Sequence, residues 1–530
     1  MHLQHIATAR RRALWPAWIV ILALYALFLV YTGHRTKLLS IGVLALAFAI
    51  LGHELTYRMR WVISLAVLGL ALLLLLYQLG GGSLHDWDEA IYAQVTREML
   101  QSDLWGTLRW NGSLFFHKPP LYFWLTALTY QLLGVNEFAA RLWSALFGFG
   151  VIVLTFVLGV RIHSWAVGVG AALLLLGVNH GAYSHDFNFL SQARVGMLDV
   201  PLTFWIVGAV VLIWEAEERP WLITVIGLVA GLAFMTKAWP GGLALVLPFV
   251  YWLCTRHGRP QHLGYWLMAG GLAGLVALPW HLWEFTVYGN LFLENYFGLN
   301  LVGRLFRHIE QDPLPPYFYL DKVRRGFSLW GYLWPFAYLW GVWQACKYSN
   351  RPLWLLLIWI TLPLVLFSLA QTKQGWYISM VYPGIALLLG LVLVDRLTDQ
   401  VALAVVAVVM GLCCIRLPVG VDGAPGVKPF APHVAQYVAP NAPLYVFERS
   451  CTPRGLSLPP GTLLQPGENV QPSLRFYLDR PLICLEPRDL AEGAHVPHAY
   501  IISQRKWLPH VNALGPIVFA GETYILIQWQ

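Results

Sequence analysis

The sequence predicts an all-α polytopic membrane protein of about thirteen transmembrane helices, carrying a small extracytoplasmic α/β domain at its C-terminal end. Three observations predict it. Hydrophobic residues make up 58% of the 530 and charged residues only 12%, against about a quarter charged in soluble domains. The mean hydropathy is +0.58. Past residue 418 the long apolar runs stop, and short β-like runs separated by turn residues replace them. The net charge of +8 fits membrane topology and anionic lipid better than nucleic acid, and no nucleic-acid motif accompanies it.

A membrane-crossing helix needs about 20 apolar residues. The runs that approach this are 13–31, 38–52, 61–79, 139–161, 164–180, 199–215, 221–236, 240–254, 262–283, 327–346, 352–370, 376–394 and 400–417. The first follows the basic start MHLQHIATARRR. It is long for a signal-sequence core and lacks a small-residue cleavage site, so it reads as a retained helix. The run 119–134 is left out. It is short, begins at Pro119-Pro120 and carries Tyr122, Trp124, Tyr130 and Gln131, which suits a helix lying in the interface; the alternative, a short spanning helix, would flip the topology of everything downstream. Arg10, Arg11 and Arg12 place the N-terminus inside, and alternation then puts Arg58, Arg60, Arg161, Arg256, Arg259, Lys347, Arg351 and Arg396 inside as well. Arg35 and Lys37 run against this count. The loops 80–138, 181–198, 237–239, 284–326 and 371–375 fall outside with the tail, and 284–326 brings Arg304 and Arg307 with no assigned role.

Three regions follow: two N-terminal helices over 1–60, a membrane catalytic domain over 61–417 with the outer loop 80–138, and the extracytoplasmic domain over 418–530. In the last, 418–442 reads as a Pro/Gly-rich linker. Strands are expected at 442–448, 481–486, 499–503, 516–520 and 523–529, with a short helix at 473–479 and a hairpin joining the last two strands. No catalytic pattern appears there, and an accessory role is expected. Cys451 and Cys484 either pair, if that domain faces an oxidising space, or stay as two thiols.

The chemistry concentrates in residues 84–120. Asp86, Asp88 and Glu89 open this stretch, and Lys118-Pro119-Pro120 closes it. DEAIYAQVTREML has apolar residues at 91, 92, 95 and 99, the spacing of an amphipathic helix resting on the membrane. Asp88 at its start reads as an N-cap worth about 1 kcal/mol, as a general base, or as both. Asp86-Trp87-Asp88 spells a DxD pair of the kind that holds a divalent ion through oxygen, a weak signal alone. Lys118 precedes proline and is therefore extended and stiff. That suits a cation aimed at a lipid phosphate; the ordinary alternative is a lysine snorkelling to the interface. Lys237 in FMTKAWPGG and Lys373 in FSLAQTKQGWYISMVYPG lie at the same outer edge. With Lys118 they would make a basic pocket for a polyprenyl phosphate. Tyr377, four residues after Lys373, would share its helix face.

DEAIYAQVTREML, FFHKPPLYFWL and GVNEFAARLWSALFG together resemble the GT-C class of integral membrane glycosyltransferases. The similar groups are the bacterial lipid A aminoarabinose transferases and the protein O-mannosyltransferase-like family. RVGMLDVPLTFW, GLAFMTKAWPGGLALVLP and FSLAQTKQGWYISMVYP follow in the same order, so the resemblance covers roughly 61–395. It implies a GT-C-like membrane domain in which Asp88 is the catalytic base and Lys118 contacts the lipid phosphate. Lys373 and Tyr377 take the places of the late-loop lysine and tyrosine, and Asp199 that of a second acid. Glu89, Tyr92, His117 and Lys237 complete the expected substrate-binding set. Two departures stand out: Ile91 where aminoarabinose transferases tend to carry arginine, and His117 where they tend to carry glutamate. The missing carboxylate weakens the case for a cationic amino sugar and for a metal site at that position.

The activity so implied is inverting transfer of a sugar from a polyprenyl-phosphate donor to a hydroxyl or phosphate of a glycan, lipid or protein acceptor. It would take place at the periplasmic face of a bacterial inner membrane. No cofactor is expected, and a divalent metal is not favoured. A second reading, a lipid or sugar transporter or flippase, would show repeated halves and midplane polar groups; no internal repeat is found, and span interiors hold few ionisable residues. A purely structural protein leaves the DWDE and HKPP segments without a reason.

Overall fold

The computed structural model describes residues 39–52, 55–177, 188–255, 262–307, 313–411, 423–447, 471–485, 487–491 and 499–529. The expected first span at 13–31, with Arg35, Lys37 and Cys451, lies outside them. Among the described residues six helices are long and apolar enough to cross a membrane: Tyr57–Leu76, Glu137–Ile162, Leu222–Gly241, Leu263–Tyr288, Arg351–Leu369 and Gly375–Arg396. Leu39–Gly52, Trp165–Leu175, Asp199–Glu215, Leu243–Thr255 and Asp399–Val409 are shorter helices on other expected runs, and Trp334–Tyr348 occupies most of 327–346. The chain is a multi-pass membrane protein. Its helices pack through small residues: a Cβ on Gly159 would fall 2.6 Å from the Cα of Gly168, so the two helices approach backbone to backbone.

Leu121–Leu133 is a helix of 13 residues, about 20 Å long, too short for a hydrocarbon layer of about 30 Å. It packs under the Asp88–Ser102 helix, where Tyr92, Val95 and Met99 meet Tyr122, Phe123 and Ala127. A two-residue hairpin pairs Arg109–Trp110 with Ser113–Leu114. Its turn residues Asn111 and Gly112 both have positive φ, 51° and 81°, as the tightest hairpin turn requires.

The C-terminal sheet has the spatial order Ile483–Leu485, Leu444–Phe447, Tyr500–Gln504, Tyr524–Gln528, Ile517–Ala520. The first three strands are parallel and the last two join antiparallel as the expected hairpin. One expectation is corrected. The stretch 418–442, read as a linker, contains a helix at Val427–Tyr437. Val427, Phe430, Ala431 and Val434 are buried along it, the i, i+3, i+4, i+7 stripe of an amphipathic helix. Cys484 is disulfide-bonded.

Arg141 of the Glu137–Ile162 helix ties the outer loop to this bundle. Its guanidinium donates to Glu89 Oε1 at 2.7 Å and Oε2 at 3.1 Å. It also donates to the carbonyls of Leu79, Gly81 and Ser83. Glu89 in turn accepts the backbone N–H of His85 at 2.7 Å and of Gly196 at 2.8 Å. Both residues are 2% exposed. Arg141→Ala strands a buried carboxylate and is expected to lower stability by about 3–5 kcal/mol. Arg141→Lys should fall between, because an ammonium cannot fork to a carboxylate and three carbonyls at once. Thermal unfolding of the purified protein in detergent checks the order.

Candidate active site

Pro240 forces the first break on which the site is built. A proline clashes with the carbonyl four residues back, here Thr236, and offers it no N–H. The Leu222–Gly241 helix accordingly leaves helical geometry at Lys237 (φ −146°, ψ 43°) and Ala238 (φ 48°, ψ −136°). Lys237 emerges at this kink and meets Asp199, the first residue of the preceding Asp199–Glu215 helix, at 2.5 Å. Both are buried. The Lys237 ammonium also stands 4.9 Å over the ring of Tyr377, whose hydroxyl accepts a hydrogen bond from Arg304 at 3.0 Å.

These groups line one cavity, together with Lys118, His117 and Tyr296. Three cations, Lys118, Lys237 and Arg304, face a single lining carboxylate, Asp199. Apolar walls from Trp239, Phe367 and Met380 complete it. Lys118 shows the cost of the arrangement. Burial, and then the charges of Arg304 and Lys237, pull its ammonium down to about 8, while Asp88 and Asp199 pull it the other way. Asp88 therefore shares an electrostatic site with Lys118, although it does not itself line the cavity. Tyr92 lies in the same field: burial first, then Asp88 and Asp199, raise its phenol well above the usual range, so it stays a proton donor.

Asp88 is half-buried and begins the Asp88–Ser102 helix, but not as the expected N-cap. Trp87 holds the cap position, with φ 70° and ψ −131° and no side-chain cap bond. A bulky residue at positive φ costs about 1–3 kcal/mol and persists only where its surroundings fix it.

Two expected site residues are elsewhere. Glu89, expected to bind substrate, is engaged by Arg141 and two backbone N–H groups and is not a lining residue. Burial opposes its ionisation, but Arg141 outweighs this and holds its carboxyl below the usual range. Lys373 donates to the carbonyl of Ala370 at 2.6 Å and does not line the cavity. The helical face it was to share with Tyr377 does not exist, because the helix begins only at Gly375, after an extended Gln374. Thr372, whose N–H donates to the Arg304 carbonyl at 3.1 Å, lines the cavity instead. Asp86 of the DxD pair accepts from Ser473 of the C-terminal domain, so its carboxylate already has a partner.

Sequence reasoning missed Tyr296, Asn300 and the role of Arg304. The segment Glu294–Gly303 is wound as a π-helix, a rare form that concentrates at functional sites. It leads into Arg304 and lines the cavity through Tyr296 and Asn300. His281 Nε2 lies 2.8 Å from the Tyr296 hydroxyl and Nδ1 lies 2.7 Å from the carbonyl of Ala277. With Nδ1 donating to that carbonyl, the phenol donates to Nε2 and turns its oxygen lone pairs outward. The signal present in the sequence was an arginine at the edge of an apolar stretch, where a charge is costly and usually functional.

Comparison with known proteins places the chain among similar sequences and folds. Residues 63–288 match the model of the dolichyl-phosphate-mannose-protein mannosyltransferase family. An undecaprenyl phosphate-alpha-4-amino-4-deoxy-L-arabinose arabinosyl transferase of Pseudomonas fluorescens is 30% identical over 355 residues, covering 64% of this chain and 60% of the relative. An uncharacterised Aquifex aeolicus protein is 30% identical over 327 residues, covering 61% and 62%. The chain thus spans about three fifths of the length of these curated relatives. The crystal structure of ArnT from Cupriavidus metallidurans bound to undecaprenyl phosphate superposes with a TM-score of 0.71 at 20% identity, covering 88% of this chain and 97% of that one. The Archaeoglobus fulgidus oligosaccharyltransferase gives 0.53 at 14% identity, covering 86% and 71%. Residues 63–288 are thus similar to the dolichyl-phosphate-mannose-protein mannosyltransferase family, and the chain shares the fold of the Cupriavidus metallidurans ArnT.

Proposed function

We propose that this chain transfers a sugar from a polyprenyl-phosphate donor to an acceptor at the outer face of a bacterial inner membrane, with inversion. The observation that carries the reading is the cavity in which Lys118, Lys237 and Arg304 converge while the charge of Asp88 acts on Lys118. Three positive side chains against one carboxylate suit a phosphate anion. The apolar walls suit the lipid that carries it. The relatives support the donor class: one is named for transfer from undecaprenyl phosphate, and a protein of the same fold was crystallised with that lipid.

In this reading Asp88 accepts the proton of the attacking acceptor hydroxyl. The new bond forms from that oxygen to the anomeric carbon as the bond from that carbon to the phosphate oxygen breaks, through an oxocarbenium-like transition state. The electron pair leaves with the phosphate. Lys118 and Arg304 stabilise its growing charge, and Asp199 holds Lys237 beside them. A phosphate leaves without a general acid, so one base and a set of cations suffice, and the mechanism calls for no cofactor. One displacement inverts the centre. Glycan, lipid and protein hydroxyls all fit this chemistry as acceptors.

Asp88→Asn is expected to lower kcat by about 10²–10⁴-fold while leaving donor binding in place. Transfer of labelled sugar from the lipid donor by purified variants measures it, and full-rate transfer at saturating donor would remove the base role. The Lys118 ammonium titrates at about 8, and only its charged form holds phosphate. It is charged below that pH and neutral above it, so kcat/KM for the donor should fall as pH rises through about 8. Lys118→Arg, which stays charged, should carry the alkaline limb upward. An unchanged limb in that variant would assign the titration to another group.

A further inference from the structure

The two acids flanking Asp88 are tied down from opposite directions. Glu89 is held by Arg141 from the membrane bundle. Asp86 is held by the C-terminal domain: its carboxylate accepts the backbone N–H of Ser473 at 3.0 Å and the Ser473 hydroxyl at 2.5 Å. Between these anchors lies the positive-φ Trp87. The same segment of the C-terminal domain makes further crossings. Arg475 donates to Glu98 Oε1 at 2.8 Å and to Asn111 Oδ1 at 3.0 Å. Both partners of the Arg475–Glu98 pair are buried, and Glu98 lies on the helix that Asp88 begins. Glu98 also accepts the N–H groups of Asn111 and Gly112, so the hairpin turn is drawn into the same knot. Tyr477 accepts the N–H of Leu84 and donates to Glu137, both at 2.9 Å.

We propose that Ser473 and Arg475 are positioning residues for the transfer reaction, and that the C-terminal domain sets the backbone from which Asp88 works. Ser473 acts through Asp86 on the two bonds leading to Asp88. Arg475 acts through Glu98 on the far end of the same helix. A bulky residue held at positive φ relaxes when one of its two anchors is released, and the carboxylate that follows it turns with the backbone. The cations come from other segments: Lys118 from the bend before the Leu121–Leu133 helix, Lys237 from the kink, Arg304 from the residue that follows the π-helix. Releasing Asp86 therefore misaligns the base and leaves the phosphate contacts standing. That predicts a fall in kcat with little change in KM for the donor. A merely structural role would reduce the amount of folded protein and leave kcat per folded molecule unchanged.

The inference rests on Asp88 being the base, so the test has two arms. In the first, full-length wild-type protein, Ser473→Ala, Ser473→Thr and Asp86→Ala are compared by hydrogen exchange and mass spectrometry over residues 86–92. Exchange should quicken about tenfold in Ser473→Ala and Asp86→Ala and return toward wild type in Ser473→Thr. In the second arm, kcat for transfer from a polyprenyl-phosphate sugar should fall roughly tenfold to a hundredfold in the same two variants, with KM for the donor held within about twofold. Ser473→Thr should recover most of the rate. Unchanged exchange over 86–92 in Asp86→Ala overturns the tether. Faster exchange with wild-type kcat overturns the positioning role. A wild-type protein with no transfer from the donor overturns the enzymatic reading instead, and the exchange arm still decides whether the domain holds the loop.

Discussion

The buried pair between Arg141 and Glu89 is the constraint on which the segment carrying Asp88 depends. Four groups converge on one guanidinium: the Glu89 carboxylate and the carbonyls of Leu79, Gly81 and Ser83, while the Gly196 and His85 N–H groups reach the carboxylate from the other side. Buried ion pairs add little net stability, because desolvation consumes most of the attraction. Their effect is on uniqueness. Any other course of the chain through 79–89 leaves a charge unpaired in an apolar setting, so the loop has one acceptable path. That path places Asp88 next to an anchored residue while leaving Asp88 itself unclaimed by Arg141.

The cation cluster obeys a related logic. Lys118, Lys237 and Arg304 repel one another in a cavity with apolar walls. Burial and the neighbouring positive charges already weaken the hold of Lys118 on its proton. Asp199 reduces the repulsion by pairing with Lys237 at 2.5 Å, and Tyr377 takes both the face of that ammonium and a bond from Arg304. The cluster can therefore stand assembled before an anion arrives. Donors that need no reorganisation during reaction are the ones that lower a barrier. A cluster held by one carboxylate remains net positive, which leaves room for a phosphate rather than neutralising the site in advance.

Much of this was legible in the sequence, and the residues show why the rest was not. The spans were readable because a membrane demands length and apolarity together, and described helices occupy the expected runs from 38–52 onward. The tail strands were readable from alternation and turns. The Val427–Tyr437 helix was equally periodic, but Pro432 and the surrounding Gly and Pro residues concealed it. Within the site, the acid cluster and the KPP lysine marked the right segment. Composition could not tell Asp88 from Glu89, since the difference lies in which one Arg141, fifty-two positions on, reaches. Lys373 looked as good as Arg304 because both are cations at span edges. What separates them is a backbone pairing between Thr372 and Arg304 and an extended Gln374, features of loop geometry with no local signature. The π-helix that carries Tyr296 likewise has no propensity code to announce it.

The proposed reaction needs two kinds of support, and the chain supplies them from different places. The donor lipid stays in the bilayer, so the groups that hold its phosphate belong at helix ends and kinks of the membrane bundle, where Lys118, Lys237 and Arg304 are found. The acceptor arrives from outside, so the base belongs on a loop that water and acceptor can reach. A loop is the less rigid mount, and a base misplaced by an ångström loses much of its effect. That difficulty is met by anchoring Asp88 on both flanks, through Glu89 to a membrane helix and through Asp86 to a domain with its own sheet and core. The C-terminal domain then has a physical reason to be there even without catalytic residues of its own. On the proposal above, it gives a half-buried carboxylate the rigidity that its position in the chain would otherwise deny it.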